Sequence, residues 1–187
     1  MLSRMLRDYM LIRPRPHAAL SDVLIVENRE RTYYADVVLA GPGKWHKSRR
    51  QQLDVQPGDV VLYCNAFKFP EHTHEGTRHQ IIQEADCLGR IARGELIPLH
   101  DKIVVEPVTQ ATMSPSGIIL SFVAEHQEIS AKVLKTGGGR RLPDGNLRPL
   151  SVKPGDTVRF GEGLGHAFEH EGKKLLMMRE EDITCVC

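Results

Sequence analysis

Short apolar runs closed at both ends by Gly, Pro, Asp or Glu recur along this chain and predict its elements. In the second half, residues 102–105, 132–135, 156–160 and 174–178 are such runs, and they read as strands separated by turns. The segment Leu142–Leu147 (LPDGNL) places Asp144 and Gly145 where a hairpin tip would turn. The acidic clusters 84–86 (EAD) and 180–182 (EED) read as turns before final strands, 87–92 in one half and 183–187 in the other.

The pattern repeats. Val55–Tyr63 (VQPGDVVLY) matches Val152–Phe160 (VKPGDTVRF) at an offset of 97 residues. Ala35–Gly43 matches Ala131–Gly139, and Ile81–Leu88 matches Met177–Thr184, both at 96. Asp8–Ile12 aligns with Asp101–Val105 at 93, and Val23–Ile25 with Ile118–Leu120 at 95. Five matches in one order point to an internal duplication, with one module over residues 1–95 and another over 96–187. A repeat of that length is too long for a solenoid unit, so each copy is expected to carry its own core. Several short strands with exposed edges commonly curl into a small barrel or sandwich, because closure protects the edges.

Composition narrows the function classes. Apolar residues are 41% and charged residues 26%, which suits a globular protein, and aromatics at 5% make any core mostly aliphatic. The 16 Gly and 11 Pro favour turns and short strands over long helices. Net charge is +1 overall, +3 over residues 1–94 and −2 over 95–187, so neither half has the charge concentration of a dedicated nucleic-acid surface. The basic run 44–50 (KWHKSRR) reads as a solvated loop, with phosphate contact as the minority reading. The four cysteines, Cys64, Cys87, Cys185 and Cys187, form no CxxC pair and suggest a reducing compartment; Cys64 and Cys87 read as core or edge thiols. No apolar run is long enough for a membrane span, and the opening residues do not read as a secretory signal.

Two segments carry candidate chemistry. Val108–Phe122 is rich in Thr, Ser, Pro and Gly yet ends near the aliphatic triplet Ile118, Ile119 and Leu120. The triplet is either an ordinary strand or an apolar anchor on a flexible arm that orders in a partner's groove. Phe69–His79 (FPEHTHEGTRH) concentrates His72, His74 and His79. An HxH on a strand with a further ligand can bind a transition metal, as in a cupin-like barrel enzyme; the alternative is an exposed polar loop.

The second half resembles the GroES family of small co-chaperonins. The resemblance rests on Ile97–Val105 (IPLHDKIVV), Ser116–Leu120 (SGIIL), Gly137, Gly138 and Gly139, Leu150–Asp156 (LSVKPGD) and Met178–Ile183 (MREEDI). The first half is similar at a greater distance: its interval 13–22 is shorter, no Gly precedes its triplet, and it has no obvious hairpin-tip Asp-Gly. The resemblance implies an all-β fold of two tandem GroES-like β-barrels, each with a mobile loop and the second with a roof hairpin. It implies that Ile118, Ile119 and Leu120, and by analogy Val23, Leu24 and Ile25, enter an apolar groove on a GroEL-like chaperonin ring in an ATP-dependent manner. Gly137, Gly138, Gly139, Asp144 and Gly145 would belong to the roof. It also implies a homo-oligomeric ring, no enzyme activity, no cofactor and a cytoplasmic setting in a bacterial or phage-infected cell, with the plastid double-domain form as a parallel. A ring-forming scaffold without chaperonin binding is the remaining alternative. Two modules per chain do not divide evenly into a single sevenfold layer.

Overall fold

A computed structural model gives the fold and describes residues 4–15, 32–46, 49–64, 69–108, 128–142 and 146–187. In chain order the strands are β1 (Tyr9–Pro14), β2 (Thr32–Ala40), β3 (Lys44–His46), β4 (Arg49–Gln51), β5 (Val60–Cys64), β6 (Glu71–His74), β7 (Thr77–Gln83), β8 (Cys87–Ala92) and β9 (Glu95–Pro98). There follow β10 (Lys102–Pro107), β11 (Glu128–Thr136), β12 (Arg140–Arg141), β13 (Leu147–Arg148), β14 (Thr157–Gly161), β15 (His166–His170), β16 (Lys173–Arg179) and β17 (Ile183–Val186). The acidic clusters form 3-10 turns, Glu84–Asp86 and Glu180–Asp182. In each, the third residue's carboxylate accepts a backbone N–H at 2.8 Å, Asp86 from Gln83 and Asp182 from Arg179.

The strands make a seven-stranded sheet in the order β6-β7-β1-β2-β5-β8-β9 and a six-stranded sheet in the order β15-β16-β10-β11-β14-β17. All the pairings are antiparallel. The central strands are buried on both faces, which is why β1 reads as an unbroken apolar run at Met10, Leu11 and Ile12 and β10 at Ile103, Val104 and Val105. The halves share strand order and irregularities. The β1–β2 ladder slips between Leu11 and Ile12 and the β10–β11 ladder between Val104 and Val105, the same place at the offset of 93. The β5–β8 and β14–β17 ladders slip between Leu62 and Tyr63 and between Arg159 and Phe160.

The expected barrels are not what forms: among the described residues, no sheet closes on itself. A barrel needs its two edge strands to hydrogen-bond to each other. In the first sheet β8 gives its second edge to β9, so the sheet ends with β6 and β9 far apart in strand order. In the second sheet the edges are β15 and β17, and no ladder joins them among the described residues.

Among the described residues, three apolar clusters form the core. One belongs to the first sheet, around Met10, Ile12, Val61, Tyr63 and Ile82, and takes in Leu99. A second lies in the other sheet, around Ile103, Val105, Val133, Val158 and Phe160. The third, which the repeat alone did not predict, is shared: Leu62, Leu88 and Leu96 pack with Val104, Phe168, Leu175 and Met177. At its rim the Tyr34 hydroxyl donates to the Glu169 carbonyl at 2.6 Å.

Two close approaches explain equivalent glycines. A Cβ on Gly41 would stand 2.2 Å from the Arg7 carbonyl oxygen, and one on Gly137 2.3 Å from that of His100. Each glycine opens a two-stranded hairpin, β3–β4 or β12–β13. The first half therefore has a hairpin where its sequence shows no Asp-Gly tip.

Candidate functional site

Ile118, Ile119, Leu120, Val23, Leu24 and Ile25 lie outside the described residues, as do Asp144 and Gly145. The strands on either side of the two triplets are described. β10 and β11 pair up to Pro107 and Ala131, and the Val108 N–H donates to the Ser130 carbonyl at 2.8 Å. β1 and β2 pair up to Pro14 and Ala35, and the Arg15 N–H donates to the Tyr34 carbonyl at 2.9 Å. Both intervals thus stand in the chain between neighbouring antiparallel strands, whose described ends are equivalent. At the root of the first, Asp36 accepts from Arg15 at 2.7 Å and from Arg13 at 3.3 Å. The Arg15 hydrogen bond, with Arg13 beside it, holds the Asp36 carboxyl below its ordinary range.

Of the predicted roof residues, Gly137, Gly138 and Gly139 are described. The Gly137 N–H donates to the Lys102 carbonyl at 2.8 Å and that of Gly139 to His100 at 2.9 Å. Gly139 has φ +120°, and a Cβ there would meet the Arg148 carbonyl oxygen at 2.5 Å. These contacts fix where β12–β13 leaves the sheet. The equivalent β3–β4 hairpin exposes Trp45, with the Arg50 guanidinium 4.8 Å from its ring centre.

The histidine cluster lies on the β6–β7 hairpin. His72 is the cross-strand partner of His79, and His74, two residues on, shares their face. His74 and His79 are buried, with rings edge to face at 5.6 Å between centres. Among the described residues, the trio does not bring its donor atoms within 4.8 Å of one another; the group that does is Asp54, Glu84 and His100.

That second group was not foreseen from sequence. Its residues come from the loop before β5, the first 3-10 turn and the turn before β10, with Arg141 of β12 added. Glu84 is buried and accepts the backbone N–H groups of Asp54 and Val55. His100 stands 3.4 Å from Glu84 and 3.6 Å from Asp54. Arg141 donates to Asp54 at 2.6 Å and to His100 Nδ1 at 3.0 Å. A guanidinium among the carboxylates supplies the positive charge a metal would bring, so the group works as an ion-pair knot across the joint between the halves. The one available signal is the repeat itself. Glu180, equivalent to Glu84, likewise accepts the N–H of Ser151, equivalent to Asp54, which marks the glutamate as a loop clamp in both halves.

Cys87 is buried, and burial pushes its thiol well above the ordinary range, as befits a core residue. Among the described residues, no helix is long and apolar enough to cross a membrane.

Known proteins match about half of the chain. A family model described as "Chaperonin 10 Kd subunit" matches residues 95–187. Co-chaperonin GroES of Herminiimonas arsenicoxydans is 42% identical over 91 residues, 49% of this chain and 95% of the relative. Co-chaperonin GroES of Methylovorus sp. is 43% identical over 89 residues, 48% of this chain and 85% of the relative. That of Desulfosudis oleivorans is 44% identical over 86 residues, 46% of this chain and 90% of the relative.

Proposed function

Because this chain belongs to the chaperonin 10 family of GroES-type proteins, which are non-catalytic, we propose that it is a co-chaperonin that caps a chaperonin ring and assists ATP-dependent folding. In this reading Ile118, Ile119 and Leu120 enter an apolar groove of the chaperonin, and Val23, Leu24 and Ile25 form a second, more divergent contact. The supporting observation is the SGIIL pattern in the interval 109–127, together with the firm pairing of the described strand ends, β10 and β11, that flank it. Three aliphatic side chains contribute roughly 1.5–3 kcal/mol each on burial, partly offset by the cost of ordering the segment. Weak arms gain strength when a ring presents several together.

The same proposal treats residues 1–95 and 96–187 as duplicated modules, supported by the shared strand order and ladder slips. It also gives the ring a geometry. Within the chain, β8 pairs with β9 and so joins one module to the next. β17 is the counterpart of β8, and no further strand pairs with its outer edge among the described residues. Pairing the outer edge of β17 with an edge of a neighbouring copy would repeat the internal joint head to tail, each chain filling two adjacent places in the ring.

The test is co-sedimentation of the full chain with a GroEL-type ring and nucleotide, with particles imaged by electron microscopy. Replacing Ile118, Ile119 and Leu120 by Ser is expected to abolish capture while circular dichroism stays that of the parent. Undiminished capture by that variant would overturn the assignment of the triplet.

A further inference from the structure

We propose that the β6–β7 hairpin is a binding site for a divalent transition ion of the zinc class, with His72, His74 and His79 as its ligands. The site is separate from the chaperonin contact and does not depend on it. At the offset of 96, His72 and His79 occupy the places of Phe168 and Leu175. In the second half those two residues are apolar and lie in the shared core against Leu62, Leu88 and Leu96. In the first half the same face carries imidazoles, of which His74 and His79, but not His72, line a cavity of about 390 Å³.

The histidines are arranged as ligands rather than as core fillers. His79 Nδ1 lies 2.9 Å from the Thr77 carbonyl, which can only accept; Nδ1 therefore carries the proton and Nε2 keeps its lone pair. His74 is 8% exposed, and its Nδ1 is buried with no hydrogen-bond partner. Its other nitrogen, Nε2, stands 3.8 Å from a Glu75 carboxylate oxygen. The His79 hydrogen bond to Thr77 is the outer-shell relation that orients metal-binding histidines, whereas Glu75 stands beyond hydrogen-bond distance of His74. Both rings line the cavity, and His72 completes one face as the direct neighbour of His79 across the ladder. As they stand the donor atoms are not gathered within 4.8 Å, so binding an ion requires side-chain rotation on this shared face.

Charge favours this place over the ion-pair knot. In the cavity wall Arg13 faces the carboxylates of Asp36, which Arg15 shares, and of Glu75, whereas Arg141 places a cation among the ligand-type groups of the knot. An all-imidazole set selects zinc, cobalt, nickel or copper over magnesium or calcium.

The experiment titrates the tag-free full-length chain with Co2+, follows visible absorption, and then competes with Zn2+ and with Mg2+. One Co2+ per chain is expected, displaced by Zn2+ and not by Mg2+. His79→Leu and His72→Phe adopt the residues of the second half, and each is expected to weaken binding by about 100-fold or more, at least the loss seen when outer-shell partners are removed. His100→Gln is expected to leave binding unchanged. Absence of stoichiometric binding, full binding by the His72→Phe, His79→Leu double variant, or loss of binding in His100→Gln would each overturn the proposal. Should a variant fail to fold, nitrogen hyperfine structure in the electron paramagnetic resonance of the parent chain with one Cu2+ decides: several imidazoles support the site, and one or none sinks it.

Discussion

Arg141 and Asp54 meet at 2.6 Å across the joint between the two halves, and the same guanidinium reaches His100 Nδ1 at 3.0 Å. Asp54 is half exposed, so its pairing with Arg141 is worth little by itself. Glu84, which lies 3.7 Å from the same arginine, is 5% exposed and would keep its charge with less compensation if Arg141 were removed. Arg141→Ala is therefore expected to lower the unfolding free energy by about 1–2 kcal/mol. Lys135→Ala, which breaks the exposed pair with Glu95, should cost under about 0.5 kcal/mol. Urea melts of the two variants check the order, and equal effects would refute the role given to Glu84.

The shared cluster makes a second prediction. Met177 is fully buried between Leu96 and Val104 in the core common to both sheets. Met177→Ala should cost about 2–5 kcal/mol. If the cluster couples the halves, the parent unfolds in one transition seen alike by Trp45 fluorescence in the first half and by hydrogen exchange at β14 in the second. Two transitions in the parent would show that the cluster does not couple them.

Gly41 and Gly137 are predicted to be equally intolerant of substitution. The added methyl group meets a backbone carbonyl, at 2.2 Å in one half and 2.3 Å in the other, and backbone cannot swing aside as a side chain can. Alanine at either place should destabilise by about 1–3 kcal/mol. Gly138, with nothing within 4 Å of its Cβ position, is the internal control. Thermal melts of Gly41→Ala, Gly137→Ala and Gly138→Ala should separate the first two from the third.

Lys102 is buried, and that burial is the main reason its amine titrates below the ordinary lysine value of 10.5; Asp101, at 3.9 Å, only partly offsets the effect. A lysine depressed by folding costs stability wherever it must be charged. The cost is complete below its folded pKa and vanishes as pH rises through the window up to 10.5. Lys102→Met is thus expected to be the more stable protein at pH 7, by about 1 kcal/mol or more, and to lose that advantage toward pH 10.5. Denaturant melts at pH 7, 9 and 10 read the trend, and a difference that does not vary with pH would contradict the assignment.

Strand positions were legible because burial on both faces writes itself as an unbroken apolar run, as at 103–105, and turn chemistry marks the ends, as at Pro57-Gly58 and Pro154-Gly155. The β3–β4 hairpin was missed because its turn lacks Asp-Gly; the close approach at Gly41 is what starts it. Barrel closure was wrongly expected because sequence shows which strands have edges but not which partner fills them, and β9 fills that of β8. The histidine trio was visible as a spacing; that His74 and His79 are buried in the wall of one cavity, with His74 Nδ1 lacking a hydrogen-bond partner, was not.

The sequence by itself determined the family and the central apolar strands, because each of these is carried by neighbours along the chain or by motifs at fixed spacing. Tertiary structure alone decided what the halves do to each other. The Leu62–Met177 core and the knot of Asp54, Glu84, His100 and Arg141 join residues from distant segments, whose contacts depend on how two sheets dock rather than on any local pattern.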